Sequence, residues 1–199
     1  DMGVVVWAMV EFEADDALAS AARLAAANPA VEQVIICTPD KDLSQCVTGD
    51  RVVQLDRRKR EQRDERGVIE RFGVGPESIP DYLALVGDSA DGFPGVPGWG
   101  EKASSTVLAQ YHHLEQIPTS PASWGVPVRG AARLSTAREA NRELAMLFRR
   151  LATLRHDVPV FTNVDELRWQ GPKPAFERVA QQLGVPGLWD RARRIPSVD

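Results

Sequence analysis

The stretch E-A-D-D-A-L-A-S-A-A-R-L-A-A-A-N-P-A-V-E-Q-V-I-I-C-T-P-D-K-D, residues 13–42, combines a helix, a strand and two acidic clusters. Its alanine-rich part predicts a helix over residues 15–27, because aspartates at the start suit the helix dipole and Asn28-Pro29 ends the pattern. The apolar run from Val31 to Thr38 predicts a buried strand. A helix leading into a buried strand is typical of a parallel α/β sheet.

The sequence on either side extends this pattern. Residues Val4 to Val10 are apolar and mostly β-branched, which predicts another buried strand, and Arg51 to Leu55 predicts a third. A short helix is predicted over Asp42 to Val47. Because ligands bind beyond the carboxyl ends of parallel strands, we expect the acidic residues that follow these strands to face one crevice.

The second part of the chain is predicted to be mostly helical. Helices are predicted over 67–73, 78–87, Glu101 to Tyr111 and Thr136 to Thr153, with a proline-broken helical tail after that. Residues 118–130 are rich in proline, glycine and serine and predict a linker or long loop. We therefore predict three parts: an α/β core over 1–66, a helical lobe over 67–160, and a helical C-terminal tail over 161–199.

Composition restricts the function classes. The 199 residues are 43% hydrophobic and carry a formal charge of −4, so a core can form but the chain has no overall basic footprint for nucleic acid. The spacing of Cys37 and Cys46 is not that of a metal site, and we expect Cys37 to be a buried free thiol in a cytoplasmic protein. No apolar run is long enough to predict a membrane span.

Seven carboxylates form three short clusters, each at the end of a predicted element. Each cluster alone is explained by capping of a helix or turn. Together they would repel one another unless divalent cations neutralised them, and hard cations prefer oxygen ligands. The clusters therefore predict a metal site that contains Glu13, Asp15, Asp16, Asp40, Asp42, Asp88 and Asp91.

A glycine-rich turn, G-V-P-G-W-G-E-K at residues 95–102, follows the third cluster. It is either an ordinary connection between helices or a turn whose backbone N–H groups approach a phosphate, with Lys102 adding charge. Trp99 is either exposed there near a nucleic acid or packed in the core. The basic and acidic run from Arg57 to Arg66 is either a solvated loop and helix start or a rim that contacts phosphate. His112 and His113 are predicted to lie at the surface or at the end of a helix.

The series E-A-D-D, D-K-D and G-D-x-x-D-x-x-P-G-V-x-G-x-G-x-K resembles the 5′-3′ exonuclease and flap endonuclease family, in the bacterial form found alone or in DNA polymerase I. The resemblance runs from about Val4 to Pro118 and more loosely to about Pro159. It implies a PIN-like α/β fold followed by a helix–three-turn–helix that holds duplex DNA. Members commonly have Gly-Tyr where this chain has Glu11-Phe12, and Asn where it has Gly92.

The resemblance also implies roles for the acidic residues and the turn. Glu13 and Asp15, with Asp16 nearby, would serve a first Mg²⁺ or Mn²⁺ ion. A second ion would be served by Asp40, Asp42, Asp88 and Asp91. The turn would bind the duplex backbone, often around K⁺, through Gly95, Val96, Gly98, Trp99, Gly100 and Lys102.

The family also has an L-x-D-G-type strand and a basic helical arch, which this sequence does not contain, so we expect it to enter the family pattern about one third of the way in. Three functions follow for comparison. The first is a monomeric, metal-dependent 5′-3′ exonuclease or flap endonuclease that cuts DNA with a 5′ end or flap in replication and repair. The second is a catalytically impaired module that binds duplex DNA. A PIN-type ribonuclease is the third, although it would not need the duplex-binding turn.

Overall fold

The computed structural model describes residues 1–196, and its sheet has three strands within that range. Strands β1 (Val34–Ile36) and β2 (Val52–Asp56) are parallel, with Ile35 opposite Val53. Strand β3 (Glu61–Arg63) pairs with β2 in the antiparallel direction. The predicted partial parallel sheet is confirmed for β1 and β2. The predicted charge run forms the exposed turn over residues 57–60, then β3, in which Arg63 is buried, and then the start of the next helix.

Eight α-helices contain most of the residues in regular secondary structure within the described range. They are α1 (Ala14–Ala27), α2 (Glu65–Phe72), α3 (Ile79–Val86), α4 (Glu101–Tyr111), α5 (Ala131–Ala140), α6 (Arg142–Ala152), α7 (Ala175–Gln182) and α8 (Gly187–Arg193). Short 3₁₀ segments cover Asp42–Cys46, Pro76–Ser78, Leu114–Gln116, Pro121–Ser123 and Val164–Leu167. None of the helices in residues 1–196 is both long enough and apolar enough to cross a membrane.

Two apolar clusters pack the elements from α1 to α6. The smaller one packs the alanine face of α1 against the sheet and the Asp42–Cys46 segment, with Ala22, Ile36 and Leu43 at its centre. The larger one lies among α3, α4 and α6 and includes Leu83 and Trp124, both almost fully buried. The Asp42–Cys46 segment joins the two clusters, because Leu43 belongs to the smaller one, the adjoining Val47 belongs to the larger one, and α3 contacts the segment.

The prediction of a buried strand over Val4 to Val10 is wrong. Residues 1–10 form no strand in the described structure, and Val6 and Val10 are 82% and 94% exposed. The segment lies against the C-terminal part instead: Trp7 stacks on Phe161 with ring centroids 6.2 Å apart. A β-branched run favours extended backbone, but only a hydrogen-bonded neighbour turns it into a strand, and this run pairs with none of the described strands.

The predicted single helix over Thr136 to Thr153 is two helices, α5 and α6. The chain leaves helical geometry at Asn141, where φ is −117° and ψ is 22°. The Asn141 side chain donates a hydrogen bond from Nδ2 to the Ala137 carbonyl oxygen at 2.7 Å, which competes with continuation of the helix. No glycine or proline lies between Thr136 and Thr153 to mark this break in the sequence.

Two further predictions need correction. Cys37 is a free cysteine, as expected, but it is exposed, and the buried free thiol is Cys46. Residues 118–130 form the predicted long loop, yet it is not a free linker. Trp124 inserts from it into the core and donates a hydrogen bond from Nε1 to the Pro118 carbonyl oxygen at 2.9 Å. The last three residues of the predicted tail lie outside the described residues.

Candidate functional site

The D-K-D segment follows β1 and is held in place by a buried glutamine of β2. Asp42 begins the 3₁₀ segment, and its N–H donates to Asp40 Oδ1 at 3.2 Å. Gln54, which is fully buried, donates from Nε2 to the Asp40 carbonyl oxygen and accepts a hydrogen bond from Ser44 Oγ at 2.9 Å. These bonds attach the backbone of Asp40 and of the following turn to the central strand of the sheet. The Asp40 and Asp42 side chains therefore extend from a backbone that is fixed in position.

The third acidic cluster lies in a tight loop after α3. Asp88 and Phe93 exchange two backbone hydrogen bonds, of 2.8 and 3.0 Å, which close the loop that carries Asp91 at its tip. Gly92 has φ +80°, a conformation that glycine adopts without strain. The loop therefore presents Asp91 to solvent while Asp88 stays only 2% exposed.

The fold brings Asp42, Asp88 and Asp91 together. Each of the three offers a carboxylate oxygen, and these oxygens all lie within 4.8 Å of one another. Asp42 is 5% exposed, and its Oδ1 atom is buried without a hydrogen-bond partner. Burial raises the pKa of the Asp42 carboxyl to about 8, and the hydrogen bond with Asp91 and the charges of Asp91, Asp40 and Asp88 act in the same direction. Burial of Asp42 Oδ1 without a hydrogen-bond donor, close to other carboxylates, is energetically costly, and a bound cation would remove that cost.

Asp15 brings the first acidic cluster close to the other two clusters. Burial raises the pKa of Asp15 to about 6, and the negative charges of Asp40, Glu13, Asp91 and Asp16 raise it further. Asp15 therefore interacts electrostatically with members of the other two clusters, and the three separate sequence segments converge.

Asp16 has a different structural position. Glu13 is the N-cap of α1, and the Glu13 N–H donates to Asp16 Oδ2 at 3.3 Å in a capping box. The other carboxylate oxygen of Asp16 accepts a hydrogen bond from the Arg155 N–H at 2.9 Å. Asp16 thus stabilises the start of α1 and ties it to the segment after α6, which is the capping alternative considered from the sequence.

A lysine contacts the acidic group directly. Lys41 Nζ lies 2.7 Å from Asp88 Oδ2. The sequence reasoning passed over Lys41 as the spacer of D-K-D, although a basic residue between two candidate ligands is itself a signal.

The glycine-rich turn connects α3 to α4 by a close crossing of the backbone. Gly87 and Gly95 both have positive φ, and a Cβ on Gly95 would lie 2.5 Å from the Gly87 nitrogen and from the Leu85 carbonyl oxygen. The Val96 N–H donates to that same Leu85 oxygen at 2.9 Å. Both glycines are therefore needed for the turn to lie against the end of α3.

Inner and outer parts of the turn differ. Gly95, Val96 and Trp99 are buried, which confirms the core-packing alternative for the Trp99 side chain. Exposed positions are Gly98, Gly100 and Lys102, and α4 begins directly after Gly100. Arg133 of α5, which the sequence reasoning did not select, reaches this surface, since its Nη2 lies 3.7 Å from where a Cβ on Gly98 would be.

Two family models match adjoining parts of this chain. The 5′-3′ exonuclease N-terminal resolvase-like domain matches residues 1–73, and the 5′-3′ exonuclease C-terminal SAM fold matches residues 74–175. The chain belongs to the 5′-3′ exonuclease family. The expected family, with its α/β part followed by a helical lobe, is thereby confirmed.

Curated relatives of this chain include DNA polymerase I from two bacteria. The Pseudomonas aeruginosa protein is 38% identical over 174 residues, which cover 83% of this chain and 18% of that protein. The Mycobacterium leprae protein is 32% identical over 211 residues, covering 100% of this chain and 22% of that protein. The chain spans about a fifth of the length of these relatives.

Solved structures agree on the fold. A bacteriophage T5 5′-exonuclease with bound divalent metal ions (zinc) has a TM-score of 0.61 at 22% identity, over 73% of this chain and 51% of that one. The T5 flap endonuclease in a pseudo-enzyme-product complex with DNA and metal ions has a TM-score of 0.61 at 21% identity, with the same coverage. At this level of identity the likeness supports the architecture described above.

Proposed function

We propose that this chain is a metal-dependent 5′-3′ exonuclease or flap endonuclease that hydrolyses DNA phosphodiesters in replication and repair. The observation that carries the proposal is the convergence of Asp42, Asp88 and Asp91 within 4.8 Å around a buried, unpartnered Asp42 oxygen. Such a group of carboxylates is costly to keep charged without a cation, and family members are nucleases. The T5 relatives with metal ions and DNA support the same assignment by fold.

The residues fit hard divalent cations, because the donors that converge are carboxylate oxygens. We assign Glu13 and Asp15 to the first Mg²⁺ or Mn²⁺ ion, with Asp16 supporting these two residues from its capping position. The second ion is assigned to Asp40, Asp42, Asp88 and Asp91. The chemistry that such ions supply is activation of a water molecule and stabilisation of negative charge on the scissile phosphate. The chain's own task is to hold these oxygens in place against their mutual repulsion.

Duplex DNA is assigned to the outer side of the glycine-rich turn. Gly98 and Gly100 are exposed, and the first N–H groups of α4 have no partners within the helix, which suits a phosphate oxygen. A K⁺ ion would be held by carbonyl oxygens of the turn instead. Lys102 adds positive charge. Gly95, Val96 and Trp99 are buried, so in this proposal they shape the turn and contact DNA through the backbone at most.

A second candidate function is a module that holds duplex DNA without cutting it. The observation that favours it is the position of Asp16, whose two oxygens accept hydrogen bonds from Glu13 and Arg155. With Asp16 engaged, Glu13 and Asp15 remain from that cluster to hold the first ion. The division at residues 66 and 160, the monomeric state and the cytoplasmic location stay predictions.

The experiment that tests the proposed function is cleavage of a 5′-labelled flap duplex with Mg²⁺ or Mn²⁺. The wild-type chain is compared with Asp91→Asn and with Asp50→Asn, a matched control whose aspartate is exposed in the turn before β2. We expect metal-dependent cutting that Asp91→Asn removes and Asp50→Asn leaves unchanged. Salt-sensitive binding of the flap without cutting would support the second candidate, and cutting of a matched RNA strand in preference to DNA would contradict both.

A further inference from the structure

Lys41 forms an ion pair with Asp88 Oδ2, one of the carboxylate oxygens that the acidic group would offer to a cation. Its Nζ lies 2.7 Å from Asp88 Oδ2, in an ion pair in which Asp88 is 2% exposed. The other oxygen, Asp88 Oδ1, accepts a hydrogen bond from the Ala90 N–H at 2.9 Å. Both oxygens of Asp88 are therefore already engaged within the protein.

The contact has an electrostatic reason. One carboxylate oxygen from each of Asp42, Asp88 and Asp91 lies within 4.8 Å of the other two. A buried carboxylate such as that of Asp88 needs a nearby positive charge. Lys41 provides that charge from the segment that also carries Asp40 and Asp42. The lysine thus stabilises the acidic group in the same way that a bound cation would.

We propose that Lys41 is a built-in counter-cation that competes with a divalent ion for Asp88. The ammonium holds the acidic group together in the metal-free protein, and it must leave Asp88 Oδ2 before a divalent ion can bind that oxygen. Lys41 thereby lowers the affinity of the site for metal. This inference rests on the metal site of the proposed function.

The structure leaves room for the lysine to move. The Lys41 side chain is about one third exposed, at 32%. It lines an open groove of about 360 Å³ together with Tyr82, Gly87 and Glu101. Because a lysine ammonium is a compact point charge on a flexible stem, it can turn from Asp88 into this groove while the backbone of D-K-D stays in place.

The test is Mn²⁺ binding by titration calorimetry, paired with thermal unfolding in EDTA and in Mn²⁺. Lys41→Met keeps the length of the side chain and removes its charge. We expect it to bind Mn²⁺ about tenfold more tightly or better, because a neighbouring positive charge at short range is gone. It should also have a lower Tm than wild type in EDTA and a larger rise in Tm on addition of Mn²⁺.

Two variants serve as controls. Lys41→Arg keeps the charge and should bind Mn²⁺ as the wild type does, while Lys173→Met removes a charge from an exposed position just before α7 and should change neither readout. Equal or weaker Mn²⁺ binding by Lys41→Met, with wild-type binding intact, would overturn the inference and leave the proposed function standing. If neither the wild type nor Lys41→Met binds Mn²⁺ in the millimolar range, the metal site itself fails and the inference fails with it.

Discussion

The indole Nε1 of Trp99 donates a hydrogen bond to the carbonyl oxygen of Leu134 at 3.0 Å. This bond joins the glycine-rich turn to α5, and the Trp99 ring also packs on Trp124 with centroids 5.7 Å apart. All three residues are buried. The turn that is proposed to hold DNA is therefore attached to the helix that carries Arg133, and the two form one surface.

Trp99→Phe should destabilise the protein by about 1–3 kcal/mol, because the indole bond to the Leu134 oxygen is lost and the smaller ring leaves part of a buried site unfilled. Urea unfolding measures this. Trp169→Phe is the matched control, since its Nε1 also donates to a carbonyl oxygen, that of Met2, but at the partly exposed edge of the molecule. An equal loss of stability in both variants would contradict the central role of the Trp99 bond.

Gly95→Ala and Gly92→Ala form a matched pair. Both glycines have positive φ, but a Cβ on Gly95 would lie 2.5 Å from backbone atoms, whereas one on Gly92 would have no atom within 4 Å. We expect about 1–2 kcal/mol of destabilisation for Gly92→Ala from backbone strain alone. Gly95→Ala should cost about 3 kcal/mol or more, because overpacking adds to the strain. Denaturant unfolding of both variants decides this, and similar losses would show that the crossing at Gly87 is loose.

Arg133→Gln should weaken duplex binding and lower its salt dependence, because the guanidinium lies beside Gly98 on the surface proposed for DNA. Loss of one phosphate contact reduces the slope of log K against log salt by about 0.9. Lys102→Gln should have the same effect, and Arg178→Gln, on the exposed face of α7, should have none. Fluorescence anisotropy with a labelled duplex at several salt concentrations measures the slopes. An unchanged slope for Arg133→Gln would exclude a phosphate contact by this residue.

Gln54→Leu should weaken metal binding more than it weakens the fold. Gln54 holds the Asp40 carbonyl oxygen and Ser44 Oγ, so its loss frees the D-K-D segment while a similar side-chain volume stays buried. A supporting residue of this kind typically accounts for about 10–100-fold in metal affinity. Ser44→Ala removes one of the two bonds and Gln54→Leu removes both. In Mn²⁺ titrations, Gln54→Leu should therefore lose more affinity for Mn²⁺ than Ser44→Ala does. Unchanged affinity in Gln54→Leu would show that the segment holds its geometry without the glutamine.

Metal-free stability should fall as the pH rises from about 4 to about 8. The pKa of Asp42 is raised from 3.8 to about 8, so the folded protein binds this proton more tightly than the unfolded chain does. The stabilisation is complete below the unfolded pKa and is lost as the pH rises through the folded one. Asp15, with its pKa raised to about 6, acts in the same direction.

Urea unfolding in EDTA at several pH values measures this dependence. Asp42→Asn should flatten it, because the amide does not titrate. Mn²⁺ should reduce the dependence in the wild type, since a cation takes the place of the proton and binds better as the carboxyls ionise. A slope that is the same in Asp42→Asn and in the wild type would assign the pH effect to other groups.

Local sequence was sufficient for the elements whose signals are themselves local. The bounds of α4 were predicted at Glu101 and Tyr111, and α1 begins one residue before the predicted start. Alanine content, acidic residues at the helix start and an Asn-Pro stop act within a few residues, so no distant neighbour is needed to read them. Strands depend on partners, and for that reason the apolar run at Val4 to Val10 misled the prediction.

The sequence by itself determined which side chains could form the site: three acidic clusters and a glycine-rich turn, each next to the end of an element. Only the tertiary structure decided that Asp16 turns to Arg155, that Trp99 is buried under α5, and that Lys41 pairs with Asp88. The physical reason is that residue type and spacing control the local backbone, whereas the partner of a charge or an indole is set by packing between segments far apart in the chain.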